Sequence, residues 1–210
     1  GMSALKEQLR LLGQFLQSDF RRTLWGCALI LTAAVALGAV LGLLSPEAVD
    51  MVLAQFMAMV EESGVIDSAG NLSPFGLLTN NWTAMLVAVL YGFIPFLYLP
   101  ALTLASNGLL VGLMAAWYHS GGISMGYYLA GILPHGVFEL PALVLASACG
   151  VYLCRNMGRL VVGGPGRVPM VELLCGLLRV LLLTVMPLTV AAAFIEAYVT
   201  PAVMALFLAG

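Results

Sequence analysis

One imidazole and one carboxylate stand four residues apart within a long apolar stretch, at His135 and Glu139. On a helix this spacing places both side chains on one face, where they can meet. Neutral imidazole and carboxylate suit zinc and related ions, but the same pair can also form a structural hydrogen bond or a proton relay. The sequence leaves these three interpretations open, and a metal site would need at least one further ligand.

The composition predicts an integral membrane protein. Hydrophobic residues make up 62% of the 210 residues and charged residues only 9%, whereas soluble domains carry about 25% charged residues. An ionisable group in such surroundings is energetically costly, so it usually faces the protein interior and has a partner there. The net charge is −2, and the sequence contains no basic patch that could bind a phosphate backbone. We therefore expect the lipid bilayer, and no nucleic acid, as a partner.

The apolar runs predict the fold class. A helix needs about 20 residues to cross a bilayer core, and runs of about this length lie at residues 24–44, 82–98, 101–118, 123–154 and 173–198. We therefore predict an all-α polytopic transmembrane helix bundle of about five spans, with residues 23–210 as a single domain. Pro134 removes a backbone donor inside the fourth span and is expected to break that helix.

Lysine and arginine residues near the span ends predict the orientation, because cytoplasmic loops are enriched in them. The external loop 45–80 contains neither residue type. The basic residues near the other span ends are Lys6, Arg10, Arg21, Arg22, Arg155, Arg159 and Arg167. We therefore expect the N-terminus and the loop 155–171 to be cytoplasmic, and the loop 45–80 and the C-terminus to be external.

Two helices are predicted outside the spans. Residues 1–22 have the pattern of a cytoplasmic interfacial helix, and the helix that follows Ser45-Pro46-Glu47 has the pattern of an external amphipathic helix. The first can anchor the chain or bind a partner, and the second can cover the outer end of the bundle or bind a partner. Their apolar stripes are Leu5, Leu9, Leu12, Leu16 and Phe20 in the first and Val49, Leu53, Phe56 and Val60 in the second.

Polar residues from several spans are expected to lie at similar depth. At about 1.5 Å per residue, Glu139 lies roughly 22 Å from the cytoplasmic end of its span, in the outer half of the bilayer. Glu196, near the outer end of the last span, is expected to be accessible to water. The residues of this candidate polar or ligand-binding site are His135, Glu139, His119, Asn80, Asn81 and, in the inner half of the bilayer, Asn107.

Small residues indicate where helices approach closely. Gly108 and Gly112 stand one helical turn apart, which favours close packing either within the chain or in a homodimer. Pro134 and Gly136 mark the expected helix break, where freed backbone groups must face protein or water rather than lipid. A cavity is therefore expected beside His135.

A combination of short motifs is similar to the stage II sporulation protein M (SpoIIM) family. The motifs are Asn80-Asn81 at the start of a span, then Asn107-Gly108-Leu109-Leu110-Val111-Gly112, then Pro134-His135-Gly136-Val137-Phe138-Glu139-Leu140-Pro141-Ala142. The similarity covers about residues 78–155. It implies a prokaryotic inner-membrane protein of about five spans. In spore formers the namesake serves in a membrane complex that drives engulfment, so membrane or envelope proteins are the partners that the resemblance implies.

Three classes of function follow from these observations. The leading one is a scaffold or assembly component of an envelope-remodelling complex, which would not be an enzyme. The alternative is a transporter or channel subunit that uses a buried site at His135 and Glu139. The second alternative is a metal-dependent membrane hydrolase, although the zinc-protease motif HExxH is absent from the sequence. We expect no cofactor unless His135 and Glu139 bind a divalent metal such as zinc.

Overall fold

The computed structural model describes residues 1–62, 70, 73–166 and 168–208, and this part of the chain is an all-α bundle. Its helices are α1 (Met2–Leu16), α2 (Phe20–Leu44), α3 (Pro46–Glu62), α4 (Pro74–Leu90), α5 (Leu99–Ser120), α6 (Met125–Val162) and α7 (Met170–Leu208). Four of them, α2, α5, α6 and α7, are long and apolar enough to cross a membrane. The predicted fold class is therefore confirmed.

Helix α6 is the centre of the bundle and packs against α2, α4, α5 and α7. Half of its most apolar stretch is buried, a larger share than in α2, α5 or α7. In lipid the hydrophobic effect does not drive helices together, so dense packing around one central helix is a main source of cohesion. The centre of the bundle is thus the helix that carries His135 and Glu139.

Glycines bring the backbones of α2 and α5 into direct contact. A Cβ atom at Gly112 would overlap the carbonyl oxygen of Val35, and one at Gly38 would overlap the carbonyl oxygen of Leu109. Gly108 is enclosed in the same way, because a Cβ there would lie 2.7 Å from a side-chain carbon of α2. Gly108 and Gly112 therefore pack within one chain.

Helix α6 is not broken at Pro134, which corrects the expected interruption. The helix runs without a break from Met125 to Val162, with Pro134 and Pro141 inside it. A proline removes one backbone donor, and membrane helices tolerate this loss when neighbouring helices or local adjustments compensate for it. Because α6 continues to Val162, most of the described part of the predicted loop 155–171 is helical, and Arg167 lies outside the described residues.

Helix α4 lies earlier in the chain than the predicted span 82–98. Ser73 caps it, since the Ser73 hydroxyl accepts a hydrogen bond from the Gly76 backbone nitrogen at 3.1 Å, and Pro74 occupies the first turn. After the 3₁₀ turn Tyr91–Phe93, Pro95 disfavours helical backbone at the preceding residue. The apolar run alone does not predict this cap, so the predicted span begins later than the helix does.

The connection between α4 and α5 is held against α6. Phe96 and Tyr98 have φ angles of 71° and 49°, a left-handed conformation that residues other than glycine rarely adopt. The Cys154 thiol of α6 donates a hydrogen bond to the Ile94 carbonyl oxygen at 3.3 Å. This strained connection therefore depends on a contact with the central helix.

Two π turns interrupt α7, at Leu181–Val185 and Ile195–Val199. Pro187 and Pro201 each follow a π turn by two residues. A proline ring in a regular α-helix clashes with the carbonyl group four residues earlier, and the wider π turn relieves that clash. The second π turn also determines where Glu196 lies.

Helix α3 packs against α5 and against the end of α2. Val49 is its buried residue, and Leu53, Phe56 and Val60 are half-buried on the same face. A Cβ at Gly42, near the end of α2, would lie 3.4 Å from the Val49 side chain. The apolar face expected from the sequence is therefore the face that packs on the bundle.

An aromatic cluster joins α1 and α2 to α6. The Tyr152 ring lies edge-on to the rings of Phe15 and Phe20, with centroids 5.7 and 5.4 Å away. Its hydroxyl donates a hydrogen bond to Asp19 Oδ1 at 2.7 Å. The Arg155 guanidinium lies 5.3 Å from the centre of the Tyr152 ring. One buried tyrosine thus connects three helices.

Helix α1 also packs on α7. Arg179 Nε donates a hydrogen bond to Gln8 Oε1 at 2.8 Å. The Phe15 ring covers Gly176, where a Cβ would lie 2.5 Å from the ring. Leu12 is the buried residue of α1 and belongs to the hydrophobic core.

Replacing Gly176 by valine should detach α1 without unfolding the bundle. The new side chain would occupy the space of the Phe15 ring, and overpacking of this kind costs about 1–3 kcal/mol. Limited trypsin digestion in detergent should then cleave faster at Lys6 and Arg10. Gly13→Val is the control, because a Cβ at Gly13 meets nothing within 4 Å. Unchanged cleavage in the Gly176 variant would contradict this packing role.

Candidate functional site

Helices α6 and α7 bring three ionisable side chains together. One ligand-type atom from each of His135, Glu139 and Glu196 lies within 4.8 Å of the other two. His135 Nε2 is 3.9 Å from Glu139 Oε2 and 4.0 Å from Glu196 Oε1. The three side chains are 15%, 29% and 24% exposed, so they lie partly buried between the two helices. We call these three residues the His–Glu–Glu cluster.

Thr200 contacts the other side of the imidazole. His135 Nδ1 is 3.3 Å from Thr200 Oγ1, and Thr200 is buried. The two ring nitrogens therefore have different surroundings, with Nδ1 beside a hydroxyl and Nε2 beside two carboxylates. A hydrogen on Nδ1, donated to Thr200, leaves the Nε2 lone pair facing Glu139 and Glu196.

The distances within the His–Glu–Glu cluster are too long for direct hydrogen bonds. Hydrogen bonds from nitrogen to oxygen have lengths of about 2.7–3.2 Å, whereas Nε2 lies 3.9 and 4.0 Å from the carboxylate oxygens. The structure thus lacks the mutual hydrogen bond between His135 and Glu139 that a simple structural pair would make. The atoms instead face one another across a gap.

Both helices depart from regular backbone hydrogen bonding at the level of the cluster. Pro134 precedes His135 and removes one backbone hydrogen bond from α6. Glu196 lies within the π turn Ile195–Val199 of α7, and Thr200 follows directly. π turns of this kind occur frequently at functional sites, because they shift the direction of the side chains they carry.

Comparison with known families covers most of the chain. The family model described as stage II sporulation protein M, SpoIIM, matches residues 27–201. The chain belongs to this family. The match confirms the resemblance and identifies a membrane protein of the SpoIIM family. The matched range includes the whole His–Glu–Glu cluster and Thr200. No curated protein and no solved structure matches the chain.

Three of the predicted polar residues of this SpoIIM-family protein lie outside the cluster. His119 is exposed at the end of α5, and Asn80 is exposed on α4. Asn81 is half-buried, and among the described residues its Nδ2 atom has no hydrogen-bond partner. Their expected convergence with His135 and Glu139 required α4 to begin at residue 82, whereas Asn80 and Asn81 lie inside a helix that begins at Pro74.

The remaining predicted residues have local roles in the structure. Asn107 is exposed on α5, and its Nδ2 atom donates a hydrogen bond to the Thr103 carbonyl oxygen at 3.0 Å. Pro134 and Gly136 flank His135 on α6, and Gly136 is buried. Pro134 and Gly136 therefore belong to the continuous helix that positions the imidazole, and they do not mark a break in it.

Sequence reasoning missed Glu196 and Thr200. Glu196 was expected to be water-accessible, whereas the structure places it beside His135 with only 24% of its side chain exposed. One signal was present, because Glu196 and Thr200 stand four apart in an apolar stretch beside a proline, as His135 and Glu139 do. Four-residue spacing on two spans indicates two polar faces that can pack together.

Ser124 lies in a second chemically relevant pattern. Residues 122–126 match G-x-S-x-G, which in some hydrolases places a nucleophilic serine after a strand. Here the Ser124 hydroxyl accepts a hydrogen bond from the Tyr127 backbone nitrogen at 3.1 Å and begins α6. Helix capping accounts for this serine, and no strand precedes it among the described residues.

Proposed function

We propose that this SpoIIM-family membrane protein is a scaffold or assembly component of an envelope-remodelling complex in a prokaryotic inner membrane. The observation that supports this role is the match to the stage II sporulation protein M family over residues 27–201. Polar contacts connect the helices of the chain into one body. Trp82 Nε1 of α4 donates a hydrogen bond to Thr189 Oγ1 of α7 at 2.6 Å. The Tyr128 hydroxyl of α6 donates to the Val111 carbonyl oxygen of α5 at 2.7 Å. Such contacts stabilise helix association where lipid provides no hydrophobic driving force.

The proposed topology has five crossings. Helix α4 and its 3₁₀ turn extend over residues 74–93, about 30 Å at 1.5 Å per residue, which is enough to cross a bilayer core. The start of α2 and the end of α6 lie on one side, because an Arg155 amino group donates a hydrogen bond to Thr23 Oγ1 at 3.0 Å. Basic residues concentrate at this side, so we place it and the N-terminus in the cytoplasm, with the C-terminus external.

Site-specific photo-crosslinking in cells tests the assembly role. A crosslinker at Met59 samples the proposed external surface, and crosslinkers at Val161 and Leu5 sample the proposed cytoplasmic surface, since all three side chains are exposed. We expect an adduct with an identified envelope protein from at least one of these positions. Leu29 is the control, because it is 70% exposed on a predicted span and should contact lipid. Adducts with lipid alone at every position would contradict the assembly role.

A transporter or channel subunit is the second candidate function. The observation that favours it is the His–Glu–Glu cluster, since partly exposed ionisable groups between membrane helices are typical of ion and proton pathways. This function requires a water-filled path from the external side to Glu139. A metal-dependent hydrolase would additionally require a bound metal with an open coordination position.

A further inference from the structure

We propose that His135, Glu139 and Glu196 bind one divalent transition-metal ion of the zinc type, with each side chain supplying one ligand atom. This inference does not depend on the proposed assembly role. It rests on the distances within the His–Glu–Glu cluster, on the surroundings of the imidazole and on the balance of charge between α6 and α7.

The distances fit an ion between the side chains better than direct contacts. Zinc binds nitrogen and oxygen at about 2.0–2.2 Å in tetrahedral geometry, so two of its ligand atoms lie about 3.4 Å apart. Nε2 of His135 is 3.9 Å from Glu139 and 4.0 Å from Glu196, beyond hydrogen-bonding range. Small rotations of the two flexible glutamate side chains would close the remaining difference.

Thr200 is placed to accept a hydrogen bond from Nδ1 of His135, which would give the imidazole the tautomer that a metal requires. Metal-bound histidine usually donates its second ring hydrogen to an oxygen, which sets both its tautomer and its orientation. Thr200 Oγ1 lies 3.3 Å from Nδ1 and is buried in α7. The free lone pair of Nε2 then faces the two carboxylates, as a ligand should.

The charge of the cluster points to a dication. The carboxylate oxygens of Glu139 and Glu196 lie within 4.8 Å of one another. Two carboxylates this close repel one another where water is scarce, and one divalent ion neutralises both. Magnesium and calcium prefer shells made of oxygen ligands, whereas an imidazole with carboxylates suits zinc, iron, manganese or cobalt. A water molecule would complete the shell, because three protein ligands leave a tetrahedral ion with one open position.

Metal titration of the purified full chain tests this site. Protein without an affinity tag is stripped with a chelator in detergent, and then Zn²⁺, Co²⁺ or Mg²⁺ is added. We expect about one zinc per chain by elemental analysis, a visible absorption spectrum of tetrahedral Co²⁺, and no stabilisation by Mg²⁺. A wild-type chain that holds no stoichiometric zinc and shows no Co²⁺ spectrum would overturn the proposal.

Matched variants locate the metal. Loss of the hydrogen-bond partner behind a metal ligand lowers metal affinity about 10–100-fold, and we expect a loss of this size for Thr200→Val. Glu196→Gln removes a proposed ligand and should lower the zinc affinity further. Glu172→Gln on the same helix and His119→Gln are controls outside the cluster and should bind zinc normally. Wild-type affinity in both cluster variants, or loss of binding in the His119 control, would show that zinc binds elsewhere.

Folding is checked separately from binding. Thermal unfolding of each variant without metal shows whether the bundle is intact, and Thr200→Val keeps all three proposed ligands. If Glu196→Gln does not fold, the Thr200 variant decides: weaker zinc binding by a folded chain supports the site, and unchanged binding overturns it.

Discussion

Replacing Gly112 by alanine should destabilise the bundle by at least about 3 kcal/mol, the upper end of the usual cost of overpacking. The added Cβ would overlap the Val35 carbonyl oxygen and would lie 2.5 Å from the Ala39 backbone nitrogen. Overpacking costs about 1–3 kcal/mol where side chains can shift. At Gly112 the neighbouring atoms belong to the backbone of α2, which cannot move aside locally, so α2 and α5 would have to separate along their contact.

Gly26→Ala is the matched control for this change. It adds the same methyl group to α2, and a Cβ at Gly26 meets nothing within 4 Å. Alanine favours the helix by about 0.8–1.0 kcal/mol over glycine, so this variant should be as stable as the wild type or slightly more stable. Unfolding by SDS in mixed micelles, followed by tryptophan fluorescence, measures both variants. Equal stability of the two would show that α2 and α5 are not in close contact.

Replacing Tyr152 by alanine should lower the free energy of unfolding by about 3–5 kcal/mol. Tyr152 is 1% exposed, and its ring contacts Phe15 and Phe20 from two other helices. Removing it leaves a cavity that three helices would have to collapse to fill. It also removes the donor to Asp19 and the ring that the Arg155 guanidinium covers.

Tyr152→Phe separates packing from hydrogen bonding. This variant keeps the ring and loses only the hydrogen bond to Asp19, which contributes about 1.5–3 kcal/mol because the acceptor is charged. Phe75→Ala removes a ring that is 77% exposed and should change stability little. The same unfolding measurement compares all three variants. A Tyr152→Ala chain no less stable than Tyr152→Phe would contradict the role of the aromatic cluster.

Composition and spacing predicted the helical class and the apolar faces, because both depend on local sequence. The face of α3 is an example, since residues four apart lie on one side of any helix. The start of α4 was missed because it depends on one side-chain cap at Ser73 rather than on hydropathy. The course of α6 through Pro134 was missed because surrounding helices decide whether a membrane helix tolerates proline.

The apolar runs do not reveal that Glu196 is a partner of His135, because the helices extend beyond the runs and the depths of the two side chains change accordingly. With spans ending at residue 154 and starting at residue 173, Glu139 and Glu196 lie about 22 and 34 Å from the predicted cytoplasmic ends. Helix α6 continues to Val162 and α7 begins at Met170, which changes these lengths to about 34 and 39 Å. The two carboxylates then come to similar levels. No property of a single span reveals this, since it depends on both ends of two helices.

The α4–α5 connection is synthesised before α6, the helix that contacts it. Phe96 and Tyr98 adopt backbone conformations that cost about 1–3 kcal/mol each in isolation, and Cys154 of α6 is synthesised later. The contact with α6 that offsets this backbone strain is therefore missing until α6 has been synthesised. We therefore expect a chain truncated before α6 to leave the α4–α5 connection without its native conformation.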